Sequence, residues 1–167
     1  MITNAATNAD NVMGLVYVAA FAPDQNESLQ TIEGNSRDSI LMDSLQQTNY
    51  PIGTGPEMAP ELSIDPAKFH EAFCADLPDD QAAVMAASQR PIAVAAFGEP
   101  SGAPAWRTKP SWAVVATGDH AAGSDVVMDM AQRANAQITT KDGSHVIMMS
   151  QPDTVAGTIM NALRSLD

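Results

Sequence analysis

The longest apolar stretch of the chain lies between Asn11 and Pro23, and its centre, Val-Met-Gly-Leu-Val-Tyr-Val-Ala-Ala, has no charged or strongly polar position. A continuous, partly β-branched run of this length suits a strand buried on both faces of a parallel sheet, not the alternating strand of a half-solvated antiparallel one. Phe21-Ala22-Pro23-Asp24 closes it. The stretch is interrupted by Gly14 and is far short of the roughly 20 residues that cross a bilayer, so no membrane span is expected.

A parallel strand needs parallel neighbours, and two more runs qualify. Trp112-Ala113-Val114-Val115-Ala116-Thr117 follows Pro110 and stops at Gly118-Asp119, while Gln137-Ile138-Thr139-Thr140, a weaker candidate, ends at Asp142-Gly143. Between them Val126, Val127, Met130, Ala131 and Ala134 recur on one helical face, with Ser124 placed to cap the start. After the third run, Val155, Ile159, Ala162, Leu163 and Leu166 mark another amphipathic helix, with Pro152 and Asp153 suited to its first turn. The C-terminal third reads β-α-β-α.

The middle, residues 24–109, is different. A polar stretch from Asp24 to Asn49 leads to Pro51, Pro56, Pro60 and Pro66, then to a helix candidate over Asp79 to Gln89. Strand signals are sparse, and Pro91 to Phe97 suits either a helix or a strand. A largely helical insertion of this size inside an α/β sheet suggests a cap over a site. Phe69, Phe73, Leu77, Met85 and Trp106 are the apolar candidates for lining a pocket beneath it; they are equally the side chains with which a cap would fill its own core.

Composition narrows the function. The 167 residues, 45% hydrophobic and 17% charged, suit one globular domain. With 8 basic against 20 acidic residues the net charge is −12, which argues against nucleic acid or an anionic membrane as partner and for a small neutral one. The N-terminus lacks the basic start and apolar core of a secretory signal, and the single cysteine, Cys74, forms no internal disulfide; both agree with a cytoplasmic protein. No cofactor is implied. His70 has no partner at metal-ligand spacing, so no metal is implied either.

Of the three histidines, His145 stands in Gly143-Ser144-His145-Val146, after the last strand, and Asp119 stands at the end of the strand before it. Ends of adjacent parallel strands meet, so a carboxylate at Asp119 can orient the His145 imidazole and stabilise its protonated form. The same residues also suit ordinary turns. His120 is a neighbour facing solvent or the cap in either case.

Three segments together, Leu15 to Asp24, Pro110 to Asp119, and Gly143 to Val146 followed by Ser150-Gln151-Pro152, resemble the C-terminal part of an α/β-hydrolase of the small serine-esterase kind. The resemblance implies three parallel C-terminal strands with flanking helices and a helical cap at 24–109, with Asp119 as acid and His145 as general base of a Ser-Asp-His triad. The family's Gly-x-Ser-x-Gly elbow is absent: Ser36 has Gly34 but Asp38, and Ser124 and Ser144 have neither glycine. Met1 to Ala6 resembles the helix that follows the elbow, which implies a domain truncated by roughly its first hundred residues. Three readings follow: an ester hydrolase lacking its nucleophile and poor at turnover alone; a non-catalytic remnant that self-associates or pairs with an N-terminal portion through an open sheet edge; or a binding module with a cap-lined pocket.

Overall fold

All three expected parallel strands form and pair side by side in the computed structural model, which describes residues 1–166. In chain order the elements are α1 (Ile2–Ala5), β1 (Leu15–Val18), α2 (Leu29–Glu33), α3 (Leu41–Ser44), β2 (Leu45–Pro51), β3 (Met58–Ile64), α4 (Phe69–Phe73), α5 (Asp79–Ser88), β4 (Ile92–Ala93), α6 (Val94–Gly98), a 3-10 turn (Ala105–Arg107), β5 (Ser111–Ala116), α7 (Ser124–Arg133), β6 (Gln137–Lys141), α8 (Ile147–Ser150) and α9 (Pro152–Leu166). The parallel sheet has the order β1-β5-β6, with Leu15 opposite Ser111 and Trp112 opposite Gln137.

Every residue of central β5 is buried, because helices cover both faces. Ala113 and Val115 pack with Val127, Met130 and Ala131 of α7; Val114 and Ala116 pack on the other side with Ile147 of α8 and Val155 of α9. Each such Val or Ile stabilises the fold by roughly 1.5–3 kcal/mol through removal from water. Gly14 admits β1 to this sheet: a Cβ there would come within 2.9 Å of the Trp112 ring and 3.2 Å of the Pro110 carbonyl.

Two local expectations are corrected. Ser124 is the first residue of α7 and not its cap; the Asp38 carboxylate, brought from the middle segment, accepts from Ser124 Oγ (2.6 Å) and Asp125 N (3.2 Å) and serves that end of the helix. On α9, Val155 and Ala162 are buried, but Ile159 and Leu163 are exposed, because the helix lies across β1 and β5 and a three-strand sheet is too narrow to cover its whole apolar face.

Residues 24–109 connect β1 to its parallel neighbour β5, and the two ends of this segment are clasped. Arg107 Nη2 donates to both Asp24 oxygens (2.6 and 2.8 Å), and Trp106 Nε1 donates to Pro23 O at 3.1 Å. The expected α5 is present. The segment is mixed, however, and not the largely helical cap expected: β2, β3 and β4 form an antiparallel sheet. Strand β2 is Leu-Gln-Gln-Thr-Asn-Tyr-Pro and mostly solvent-facing, so it has no apolar period to read; backbone pairing with β3 makes it a strand. Pro91 to Phe97 resolves into both options, β4 followed by α6. No helix among the described residues is long and apolar enough to cross a membrane.

Candidate active site

The site forms where β5 and β6 end. Thr117 N donates to Lys141 O and Gly118 N to Gly143 O, each at 3.0 Å, so parallel pairing continues past the strands and holds the two following loops together. Asp119 and His145, one on each loop, meet: His145 Nδ1 donates to Asp119 Oδ2 at 2.9 Å. Asp119 is 1% exposed. Its other oxygen accepts from Ala121 N (3.0 Å) and Ala122 N (2.8 Å). A carboxylate with both oxygens so bonded keeps its orientation and holds the proton on Nδ1, leaving Nε2 with a lone pair. No hydrogen bond reaches Nε2 from the described residues.

Asp76, from the loop after α4, fixes the other loop. It accepts from Ser144 N (3.0 Å) and from Ser144 Oγ, immediately before the histidine. The Phe73 ring packs against the imidazole with centroids 4.8 Å apart. Burial alone would raise the Asp76 carboxyl, but the Ser144 hydrogen bonds leave it below the ordinary range.

The histidine side chain is 27% exposed and lines a cavity of about 320 Å³ together with Ala19, Glu33, Leu41, Phe73 and Ala121. Ala19, at the carboxyl end of β1, has φ of +43°, a left-handed conformation costly for a residue with a Cβ and concentrated at functional sites. A second cavity of about 450 Å³ shares Leu41, Phe73 and Phe97 with the first. Phe69 and Met85 line this second space. Leu77 and Trp106 line neither: Leu77 is buried in the core of the middle segment, and Trp106 packs against the core of the parallel sheet with the Arg107 and Arg133 guanidiniums 5.6 and 5.8 Å from its ring.

The other titratable candidates point elsewhere. His120 is exposed and its carbonyl accepts from Ile40 N at 2.9 Å. His70 bonds Leu77 O through Nε2 (2.8 Å) and Asp79 through Nδ1 (3.1 Å), tying α4 to α5. Asp125 accepts from Ser36 Oγ and Arg37 N, and exposed Asp142 accepts weakly from Thr117 Oγ1; neither meets an imidazole. Among the described residues no group of three His, Cys, Asp or Glu side chains converges as metal ligands. Sequence reasoning did not find Glu33, Ser39 or Asp76. Glu33 and Ser39 sit in a polar stretch with no periodicity, and the contacts that matter, Ser39 with Ala121 and Asp76 with Ser144, join residues 82 and 68 positions apart.

Comparison with known proteins places this geometry. A family model described as the alpha/beta hydrolase family matches residues 2–158. No curated protein sequence matches. Among solved structures, polyneuridine aldehyde esterase superposes with a TM-score of 0.73 at 13% identity, over 92% of this chain and 63% of that one. A pyrethroid hydrolase from Sphingobium faniae gives 0.69 at 19% identity, over 96% and 64%. A methylesterase from Arabidopsis gives 0.67 at 15% identity, over 93% and 60%. These likenesses establish the fold, and the chain spans about three-fifths of the length of the structures it matches.

Proposed function

Because the chain belongs to the alpha/beta hydrolase family, we propose that it carries the acid–base half of a carboxylic ester hydrolase site, with His145 as general base, Asp119 as its orienting acid and residues 24–109 as cap. The observation that carries this reading is the bond from His145 Nδ1 to the buried Asp119 carboxylate, beside a cavity lined by the same imidazole. In such a site Nε2 takes the proton of the attacking hydroxyl as it adds to the ester carbonyl. The imidazolium, paired with Asp119, then returns that proton to the leaving alkoxide, and water completes the cycle to acid and alcohol. The two adjoining apolar cavities fit the hydrocarbon of a small neutral ester, with Phe69, Phe73 and Met85 as its contacts. The names esterase, methylesterase and pyrethroid hydrolase among the structural relatives support the same class.

No Gly-x-Ser-x-Gly occurs in these 167 residues, and no Ser or Cys hydroxyl or thiol of the described residues bonds His145. The polypeptide by itself therefore turns over esters poorly, since nucleophile and oxyanion donors supply most of the rate. A second reading, a non-catalytic partner that associates through its sheet, is favoured by the position of β1 at the sheet edge beside an apolar cavity of about 340 Å³ between it and α1. The lone Cys74, which is free and forms no disulfide, supports a cytoplasmic setting.

The test is hydrolysis of a short-chain aryl ester by the purified chain beside His145→Ala, with an NMR titration of the same ester. The expected result is no turnover above the control and amide shifts confined to the surroundings of Ala121, Phe73 and His145. Turnover that disappears with His145 would refute the statement that the chain lacks a nucleophile. Shifts elsewhere and none at these residues would refute the assignment of the site.

A further inference from the structure

Glu33 ends α2 on the wall of the cavity that His145 lines. At 5% exposure it is, with Asp119, one of two buried carboxyl side chains among the described residues, and the acid–base pair makes no use of it. Its surroundings determine its protonation. Ser39 Oγ lies 2.8 Å from Glu33 Oε2, 2.9 Å from Ala121 O and 3.1 Å from Leu41 N. A hydroxyl has one hydrogen and two lone pairs. The Ala121 carbonyl can only accept, so it takes the Ser39 hydrogen; Leu41 N–H can only donate, so it takes one lone pair. The contact with Glu33 is then a hydrogen bond only when Glu33 supplies the proton. Every partner is satisfied when Glu33 is a neutral carboxylic acid.

Electrostatics act in the same direction. Burial pushes the Glu33 carboxyl up to about 7 and the Asp119 charge reinforces it, against the His145 charge and against the pull Ser39 would exert by donating to a carboxylate, a hydrogen that the Ala121 carbonyl takes instead. With Oε2 turned to Ser39, Oε1 is left as an acceptor. It has no hydrogen-bond partner among the described residues and is not sealed from the cavity. The rest of that wall, Ala19, Phe21, Leu29 and Phe97, offers a ligand no other side-chain acceptor. An acceptor on an apolar wall is left unpaired when a ligand displaces water from it, unless that ligand supplies a donor in its place.

We propose that Glu33 is a substrate-recognition residue whose Oε1 accepts a hydrogen bond from a hydroxyl or N–H group carried by the ester bound against His145. The inference rests on the ester-hydrolase reading of the cavity and narrows it to neutral esters bearing a hydrogen-bond donor. A hydroxyl-free ester would leave Oε1 unpaired, which is how a site discriminates strongly between otherwise identical molecules.

The experiment compares ethyl hexanoate with ethyl 3-hydroxyhexanoate, their dissociation constants read from amide shifts of the full chain at pH 6. The wild type is expected to bind the hydroxy ester roughly three- to tenfold tighter. Glu33→Gln keeps that preference, since its amide N–H₂ can donate to Ser39 while its carbonyl faces the ligand, and Glu33→Leu abolishes it. Equal binding of both esters at the cavity by the wild type, or a preference that survives Glu33→Leu, overturns the role of Glu33 and leaves the cavity assignment standing. Binding of neither ester overturns both. Should Glu33→Leu fail to fold, the wild type decides: a nuclear Overhauser contact from the hydroxyl-bearing carbon to the Glu33 γ-methylene is expected, and contacts to Phe73 without it refute the proposal.

Discussion

Replacing Glu33 by Gln should raise stability above neutral pH and leave it nearly unchanged in acid. The carboxyl, ordinarily at 4.5, is pushed up to about 7 in the fold by burial. Below the ordinary value the side chain is neutral in both folded and unfolded chains. As pH rises through that value the unfolded chain ionises while the folded one stays neutral, so the wild type loses stability progressively until the folded carboxyl also ionises near 7. At about 1.36 kcal/mol per pH unit of separation, the loss between pH 5 and pH 8.5 comes to roughly 2–3 kcal/mol. An amide has no such titration and keeps the Ser39 contact, so the variant should gain on the wild type by that amount, or roughly 5–10 °C in melting temperature for a chain of this size. Thermal melting followed by circular dichroism at pH 5, 6, 7 and 8.5 measures it, starting above the isoelectric point near 4.3 to keep the protein soluble. Parallel curves for the two proteins would refute the neutral-acid network of Glu33, Ser39 and Ala121.

In any protein that joins this chain to a serine elbow, His145→Ala should lower kcat by at least about a thousandfold, while His120→Ala, whose side chain is exposed, should leave most of it; similar losses would sink the assignment of the base. Gly123 has φ of +81°, and a Cβ there would lie 2.0 Å from Ser36 Oγ, so Gly123→Ala should cost roughly 2 kcal/mol or more in urea unfolding; an unchanged midpoint would contradict the packing of residues 36–40 on the acid loop. Burial favours the protonated form of Asp125, yet bonds from Ser36 Oγ and Arg37 hold its carboxyl down to about 2. Its contribution is thus present above about pH 4 and lost as pH falls through about 2. The stability gap between wild type and Asp125→Asn should shrink on acidification to pH 2, and a constant gap would argue against these bonds.

Much of the sheet was legible because its signals are local. The run at Leu15–Val18, the bounded apolar stretch at Ser111–Ala116 and the i, i+4 face of α7 each follow from what a few consecutive side chains must bury. The meeting of Asp119 with His145 was legible for a related reason: two parallel strands joined by one helix are neighbours, so their carboxyl ends converge.

What lay beyond reach depends on partners distant in the chain. The polar strand β2 exists because β3 offers it a backbone ladder, which no side-chain period announces. Leu77 and Trp106 have the same apolar character as Phe69 and Phe73, and only the packing of α4 and the Arg107–Trp106–Arg133 stack separates those that face a cavity from those that do not. Glu33 reads as one more acid in a polar stretch; 86 residues further on, Asp119 ends its strand. The fold brings Glu33 to the wall of the cavity lined by His145, the partner of Asp119, and the removal of water there turns an ordinary surface carboxylate into a buried acid.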